Sequence, residues 1–377
     1  MRKQPGGILT GPTLQLLLVF AALCSVTTRA QDAKIQEAIQ QADAYLNSQS
    51  AGGSFRGSVL IGVNGKILFE KGYGFADEEW KARNDPATKL RIASMTKQFT
   101  AACILLLQER GRLLVQEPVS KYVSDLPQAW QPITIHELLT HTSGISNYPI
   151  EPRVEKEMNR IGATPRELLE VVTAKPLEFK PGTKMKYTNT GYVLLGMIIE
   201  KVSGKSYADF LRENIFEPLG MKDSGYDVAS VILDKRASGY FIKDGHVTNA
   251  DFIDMSVPFA AGGIYSTVED LYRWNEALAA PGKLLTTQSL AQMFAVYPET
   301  TAYGGQNYGY GVVITHRFGK LLYYHGGGVM GFESSIQRYP GERLCIVVLS
   351  NLDPSEPWKA SDRMASYLFG QPLPATQ

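Results

Sequence analysis

Ala93-Ser94-Met95-Thr96-Lys97 opens a stretch in which Met95, Phe99, Ala102, Cys103 and Leu106 recur at three- and four-residue intervals up to Gly111. That spacing predicts an amphipathic helix with one buried face, ended where glycine takes a left-handed cap. Ser94 and Lys97, three positions apart at its first turn, then share a face. The helix start favours developing negative charge on Ser94. A lysine crowded by donors and partly desolvated holds its proton less tightly than in water, so Lys97 can help remove the serine proton. A Ser and a Lys at this spacing arise by chance about once in a chain of this size. Here the pair occurs once, at the head of a helix.

Working outward, Tyr187-Thr188-Asn189 follows the turn Lys180-Pro181-Gly182 and precedes a helical pattern over 192–202. A phenol beside one or two lysines can ionise far enough to move a proton to and from Ser94, and the Asn189 amide can hold a substrate carbonyl. A third string, Tyr324-His325-Gly326-Gly327-Gly328, ends a strand-like run. Glycines there let the backbone approach a ligand, so the amides of Gly328 and Ser94 could form an oxyanion hole while His325 and Gly327 line the cleft.

The periodicity around these strings sets the expected layout. A helix over 33–46 is followed by two alternating runs, 57–63 and 66–73, joined by the hairpin signal Asn64-Gly65. Helical segments such as 268–278 fill the middle. Strand-like runs at 309–315, 321–325, 332–338 and 344–349 and a last helix over 358–369 close the chain. The expected fold is α/β (α+β): an antiparallel sheet from 31–93 and 302–377, flanked by N- and C-terminal helices, with a large all-helical lobe inserted over 94–301.

Composition bounds the function. The 377 residues are 44% apolar and 20% charged, with 38 Lys and Arg against 37 Asp and Glu, so no basic surplus invites nucleic acid. A small-molecule ester or peptide substrate is expected instead. Arg2 and Lys3, an apolar run over 16–24 and Thr28-Arg29-Ala30 read as a signal peptide over 1–30, cut before Gln31. The run is about half of what a bilayer span needs. The mature chain is therefore expected to be periplasmic or secreted, without a stable membrane span. Cys103 and Cys345 lie among apolar neighbours and read as buried thiols.

The three motifs, in this order, resemble the serine β-lactamase and penicillin-binding superfamily, in particular class C β-lactamases, D-alanyl-D-alanine carboxypeptidases and family VIII esterases. The runs TIHELLTHTSGI from Thr134, YTNTGYVLLGMIIEKVSG from Tyr187 and AAGGIYSTVEDLYRW from Ala260 extend the likeness over most of the mature chain. The resemblance implies a β-lactamase/transpeptidase-like fold. It also implies an acyl-enzyme on Ser94, Lys97 and Tyr187 as base machinery, Asn189 as a substrate contact, and the 325–327 strand as a cleft edge. No metal or organic cofactor is implied. One position departs: β-lactamases of this branch carry Lys where this chain has His325, and a histidine is only partly charged near neutrality.

Other classes fit less well. His136 and His141 stand five apart, whereas a zinc-protease helix needs histidines four apart, and both read as structural. No Gly-x-Ser-x-Gly is present for an α/β-hydrolase. The expected activity is hydrolysis of ester or D-peptide-like amide substrates, with a penicillin-binding sensor that acylates without turnover, or a β-lactamase, as alternatives. Asn147, Tyr148 and the stretch 303–308 are expected in the cleft walls.

Overall fold

The computed structural model describes residues 33–300 and 306–374; the expected leader over 1–30 lies outside them. Helix α1 spans 33–51, and strands β1 (Gly57–Val63) and β2 (Lys66–Tyr73) follow. Helices α2 (Thr96–Glu109), α3 (Asn189–Ser203) and α4 (Val268–Ala279) carry the middle of the chain. Strands β3 (Asn307–Tyr308), β4 (Val313–Arg317), β5 (Lys320–Val329), β6 (Phe332–Tyr339) and β7 (Leu344–Ser350) precede the last helix, α5 (Pro357–Phe369).

The seven strands form one sheet in the order β3-β4-β5-β6-β7-β1-β2, every pair antiparallel. Asn64 and Gly65 take φ of 53° and 77°, the doubly positive turn that matches the twist of a two-residue hairpin. At the centre, β1 and β7 read as unbroken apolar runs because both faces of the sheet are covered. Successive side chains point to opposite faces. Val59, Ile61, Ile346 and Val348 meet Ala42 and Leu46 of α1 and Met364 and Ala365 of α5. Leu60, Val347 and Leu349 turn the other way, into the core shared with α2, α3 and α4. Each such burial contributes about 1.5–3 kcal/mol, so the alternation fixes the register on two sides at once.

Two expectations need correction. The segment between the strand groups is not all-helical. Tyr240–Lys243 and His246–Asn249 form a hairpin, and its first strand pairs in parallel with Leu352–Asp353. Ile264–Ser266 pairs on either side with Leu90–Arg91 and Gly225–Tyr226. The expected 309–315 strand starts late, as β4 at Val313; residues 309–312, with Gly311 at φ 71°, form the connection from β3. A Cβ on Gly311 would stand 2.6 Å from the Lys97 carbonyl oxygen, so the chain leaves the ladder there to pass against α2. Cys103 and Cys345 are buried free thiols, as their neighbours predict. Among the described residues, no helix is long and apolar enough to cross a membrane.

Candidate active site

Ser94 sits in a 3-10 turn over Ala93–Met95, one turn ahead of α2, rather than inside the helix. Ala93 holds φ at 47°, a left-handed conformation that costs a non-glycine residue about 1–2 kcal/mol. The neighbours impose it. The Ile92 N–H donates to Ile264 O at 3.0 Å, and Ile92 O accepts from the Met95 N–H at 3.1 Å and from the Ser334 hydroxyl at 2.8 Å. The turn is thus pinned between β6 and the strand at Ile264, with Ser94 half-buried and facing the cleft.

Lys97 is fully buried beneath it. Its Nζ lies 3.1 Å from Ser94 Oγ, 2.7 Å from Asn189 Oδ1 and 2.8 Å from Ala261 O. Removal from water disfavours the ammonium and holds the Lys97 pKa well below the ordinary 10.5. Nζ also stands 4.8 Å from the centre of the Tyr187 ring and 5.5 Å from that of Tyr192.

One wall of the cleft is the loop that feeds α3. Thr188 caps the helix by accepting from the Thr190 N–H at 3.3 Å, and the Asn189 N–H donates to Asn147 Oδ1 at 2.8 Å. The buried His141 ring packs 4.3 Å from Tyr187 and 4.7 Å from Tyr308, centre to centre, and its Nδ1 accepts from the Thr188 N–H at 3.2 Å. Burial, with Lys97 and His325 nearby, pushes the His141 pKa well below 6.5. The ring is therefore neutral, and with Nδ1 accepting, its hydrogen sits on Nε2. His141 itself takes φ of 60°, a second left-handed residue at the site.

The other wall is the end of β5. His325 is buried; its Nδ1 donates to Gly326 O and its Nε2 accepts from the Tyr308 hydroxyl at 2.8 Å. Burial is the main cause that depresses its pKa, to about 3. Gly327 passes so close to the nucleophile turn that a Cβ would lie 2.4 Å from Ile92 O and 2.8 Å from Ser94 N. Gly328, one residue on, faces open space and lines the cleft with Ser94.

These groups border a cavity of about 520 Å³ lined by Ser94, Asn189, Gly328 and the apolar Ile150, Ile253 and Met330. Ser94 and Asn189 line it; Lys97, bonded to both, and Tyr187, whose ring centre is 4.8 Å from Lys97 Nζ, do not. Of the expected strand edge Gly328 lines the cavity, whereas Gly327 and the buried His325 do not. Tyr148 lines the cavity, whereas Asn147 serves it indirectly through the Asn189 amide. Tyr308 is buried against His325, and residues 301–305 lie outside the described set. His136 turns elsewhere, to the Tyr310 hydroxyl at 2.7 Å and Glu299 at 3.1 Å. Sequence reasoning missed Ala261, which acts through a carbonyl common to every residue, and Glu155 and Asn159, which no motif marks.

Comparison with known proteins bears on family and fold. The family model described as Beta-lactamase matches residues 35–369. Protein flp of Staphylococcus aureus (strain MW2) is 32% identical over 325 residues, covering 83% of this chain and 63% of its own length. The chain therefore spans less than two thirds of that curated relative. Among solved structures, the octameric penicillin-binding protein homologue from Pyrococcus abyssi aligns with a TM-score of 0.78 at 30% identity, over 88% of this chain and 78% of that one. The D-amino acid amidase from Ochrobactrum anthropi SV3, complexed with L-phenylalanine amide, aligns with a TM-score of 0.77 at 27% identity, over 89% of this chain and 99% of that one.

Proposed function

Because the chain belongs to the Beta-lactamase family, we propose that it is an exported serine hydrolase that cleaves ester or D-peptide-like amide substrates through an acyl-enzyme on Ser94. The observation that carries this reading is the bonding of Lys97. A neutral amine has two N–H donors and one lone pair. With Lys97 held neutral by burial, Asn189 Oδ1 at 2.7 Å and Ala261 O at 2.8 Å take its two hydrogens, and the lone pair faces Ser94 Oγ, 3.1 Å from Nζ, to receive the hydroxyl proton. Lys97 then acts as the base for attack.

In the first half-reaction Ser94 Oγ bonds to the substrate carbonyl carbon as its proton passes to Lys97. The amides of Ser94 and Gly328 stabilise the oxyanion, and the Asn189 amide NH2 holds a carbonyl on the acyl side. Tyr187, over the lysine, carries the proton onward to the leaving alcohol or amine as the scissile bond breaks. Water then adds to the ester carbonyl, losing its proton along the same route, and Ser94 is released. The neutral His325 supplies no cation where the β-lactamases of this branch have lysine, which disfavours capture of a penicillin carboxylate.

The test is intact-protein mass spectrometry after a fluorophosphonate probe and, separately, a penicillin, with chromogenic ester turnover in parallel. The expected result is one probe adduct mapped to Ser94, turnover of the ester, no lasting penicillin adduct, and loss of labelling and turnover in Ser94→Ala. A lasting penicillin adduct without ester turnover would replace the hydrolase by a binding sensor. Normal turnover in Ser94→Ala would end the serine mechanism.

A further inference from the structure

Histidine aside, the buried charged side chains among the described residues are Lys97, Asp227, Asp270, Arg338 and Asp362. Lys97 is held neutral by its burial. Asp227 is paired with Arg91 and Arg236 at 2.8 and 2.9 Å, Asp270 with Arg273 at 2.7 Å, and Asp362 with Arg317 at 3.0 Å. Arg338 is the exception. It is 5% exposed, and its Nε, Nη1 and Nη2 atoms are each buried without a hydrogen-bond partner. A guanidinium cannot shed its proton as a lysine can: burial pulls the Arg338 pKa down only to about 10, so the cation persists at neutral pH. Water can satisfy N–H groups, but it does not cancel a charge withdrawn from solvent, and an uncompensated buried ion is among the costliest features a fold can hold.

The sheet register shows where that charge sits. Ile336, two residues before Arg338 on β6, belongs to the core shared with α2, α3 and α4, so Arg338 turns to the same face. It stands opposite Tyr323 of β5 on one side and Cys345 of β7 on the other, and Cys345 in turn stands opposite Gly62 of β1. Toward β7 and β1 the row beside the guanidinium is therefore made of small residues. Cys345 is no counter-ion, since burial pushes its thiol pKa up to about 12. Glu276 acts on Cys345 but not on Arg338; its Oε2 lies beside the Gly65 turn, and its Oε1 accepts from Asn275 at 2.9 Å. Among the described residues no carboxylate offsets Arg338.

We propose that Arg338 binds one small monovalent anion, chloride under ordinary conditions, between the sheet and the helices, with the Cys345 thiol as a second donor. One guanidinium and one such ion leave the interior neutral, whereas a divalent anion would leave a charge over. The enclosure selects by size as well: the three nitrogens are sealed from solvent, which suits a halide and excludes an organic anion such as gluconate. The assignment is independent of the Ser94 hydrolase reading, because Arg338 takes no part in the proposed chemistry. It is nevertheless felt at the strand wall. After burial and the Lys97 charge, the Arg338 charge also holds the His325 pKa down, and an anion beside it offsets that contribution.

The experiment is equilibrium urea unfolding of the whole chain in sodium gluconate, sodium chloride or sodium bromide at equal ionic strength, with Arg338→Met measured alongside to subtract the general effect of each salt. A ligand that binds the folded chain alone stabilises it once its concentration passes the dissociation constant. On going from gluconate to either halide, at a tenfold excess over that constant, the parent midpoint should gain about 0.3 M urea on that of Arg338→Met, with the slopes unchanged. No gain, or a halide effect equal in parent and variant, overturns the proposal. Should Arg338→Met fail to fold, crystals of the parent grown in bromide decide the matter: an anomalous peak against the guanidinium supports the site, and ordered waters there without a peak overturn it.

Discussion

The two walls of the cleft each bury a histidine, and they hold it in opposite tautomers. On the loop wall His141 accepts at Nδ1 from the Thr188 backbone and keeps its hydrogen on Nε2; on the strand wall His325 donates from Nδ1 to Gly326 and accepts at Nε2 from Tyr308. Both arrangements suit a neutral ring. With Lys97 close to both, three buried basic groups cluster behind the cleft surface, and none has a carboxylate among its hydrogen-bond partners. The difference lies in what each ring supports. His141 fixes the backbone that carries Tyr187 and Asn189, whereas His325 fixes its own strand end and leaves the cleft edge uncharged. Under the proposed mechanism the loop wall moves protons and the strand wall is a passive edge.

The most severe way to break this comparison is to remove the base that both walls enclose. Lys97→Met should lower the rate of Ser94 acylation by about 10³-fold or more, read as probe labelling under single-turnover conditions. A stability measurement sharpens the point. Between the depressed folded pKa and about 10.5 the unfolded chain binds a proton on Lys97 that the folded chain does not, so stability rises with pH across that window. Denaturant titrations should therefore show the parent gaining on Lys97→Met as pH increases, whatever the offset between them. A flat difference would mean that Lys97 is charged in the fold.

A smaller effect is expected from the loop wall's support. His141→Leu leaves the Thr188 N–H without its acceptor, a loss of about 1–3 kcal/mol for a buried donor, and frees the loop carrying Tyr187. The expected result is a fall in kcat of about tenfold with KM little changed, partly restored in His141→Asn, whose side-chain oxygen can accept. The acid limb of stability checks the protonation state. The unfolded histidines take up protons below about 6.5, while folded His325 resists until about 3 and folded His141 also titrates well below 6.5. Stability should fall as pH drops through that interval, and less steeply in either histidine variant.

The smallest change in rate, and the most informative in selectivity, is expected on the strand wall. His325→Lys introduces the cation that the edge lacks. Turnover of neutral esters should change by less than about tenfold, while the ratio of carboxylate-bearing to neutral substrates rises. An unchanged ratio would show that the edge does not face the ligand's charge.

Much of this was legible in the sequence where local chemistry carried the signal. Asn64-Gly65 announced its hairpin because that turn needs two positive φ values, and the Ser94 and Lys97 spacing announced a shared face. The same rule was present and unread at Asp244-Gly245, with φ of 51° and 77°; its flanking strands are four residues each and the second is exposed, so no apolar alternation drew attention to them. The Ala261 carbonyl could not be read, because a backbone acceptor leaves no trace in residue type. Glu155 and Asn159 were hidden for another reason: polar residues on a helical turn become cavity lining only when the fold brings that turn to the cleft. Gly311 looked like part of a strand because its function, clearance for the Lys97 backbone, is set by a contact far away in sequence.

The central strand pair has a consequence for how the molecule is made. β1 is hydrogen-bonded to β7 along its whole length, from Gly57 against Ser350 to Val63 against Leu344, so β1 waits for a strand made much later. During synthesis the hairpin of β1 and β2 emerges well before β7, which leaves the β7-facing edge of β1 unpaired until Leu344–Ser350 has been produced. Contacts so distant in sequence slow folding and prolong the exposure of sticky surface. A chain terminated before Leu344 would lack the partner that completes the sheet and would be a substrate for chaperones and proteases rather than a shortened enzyme.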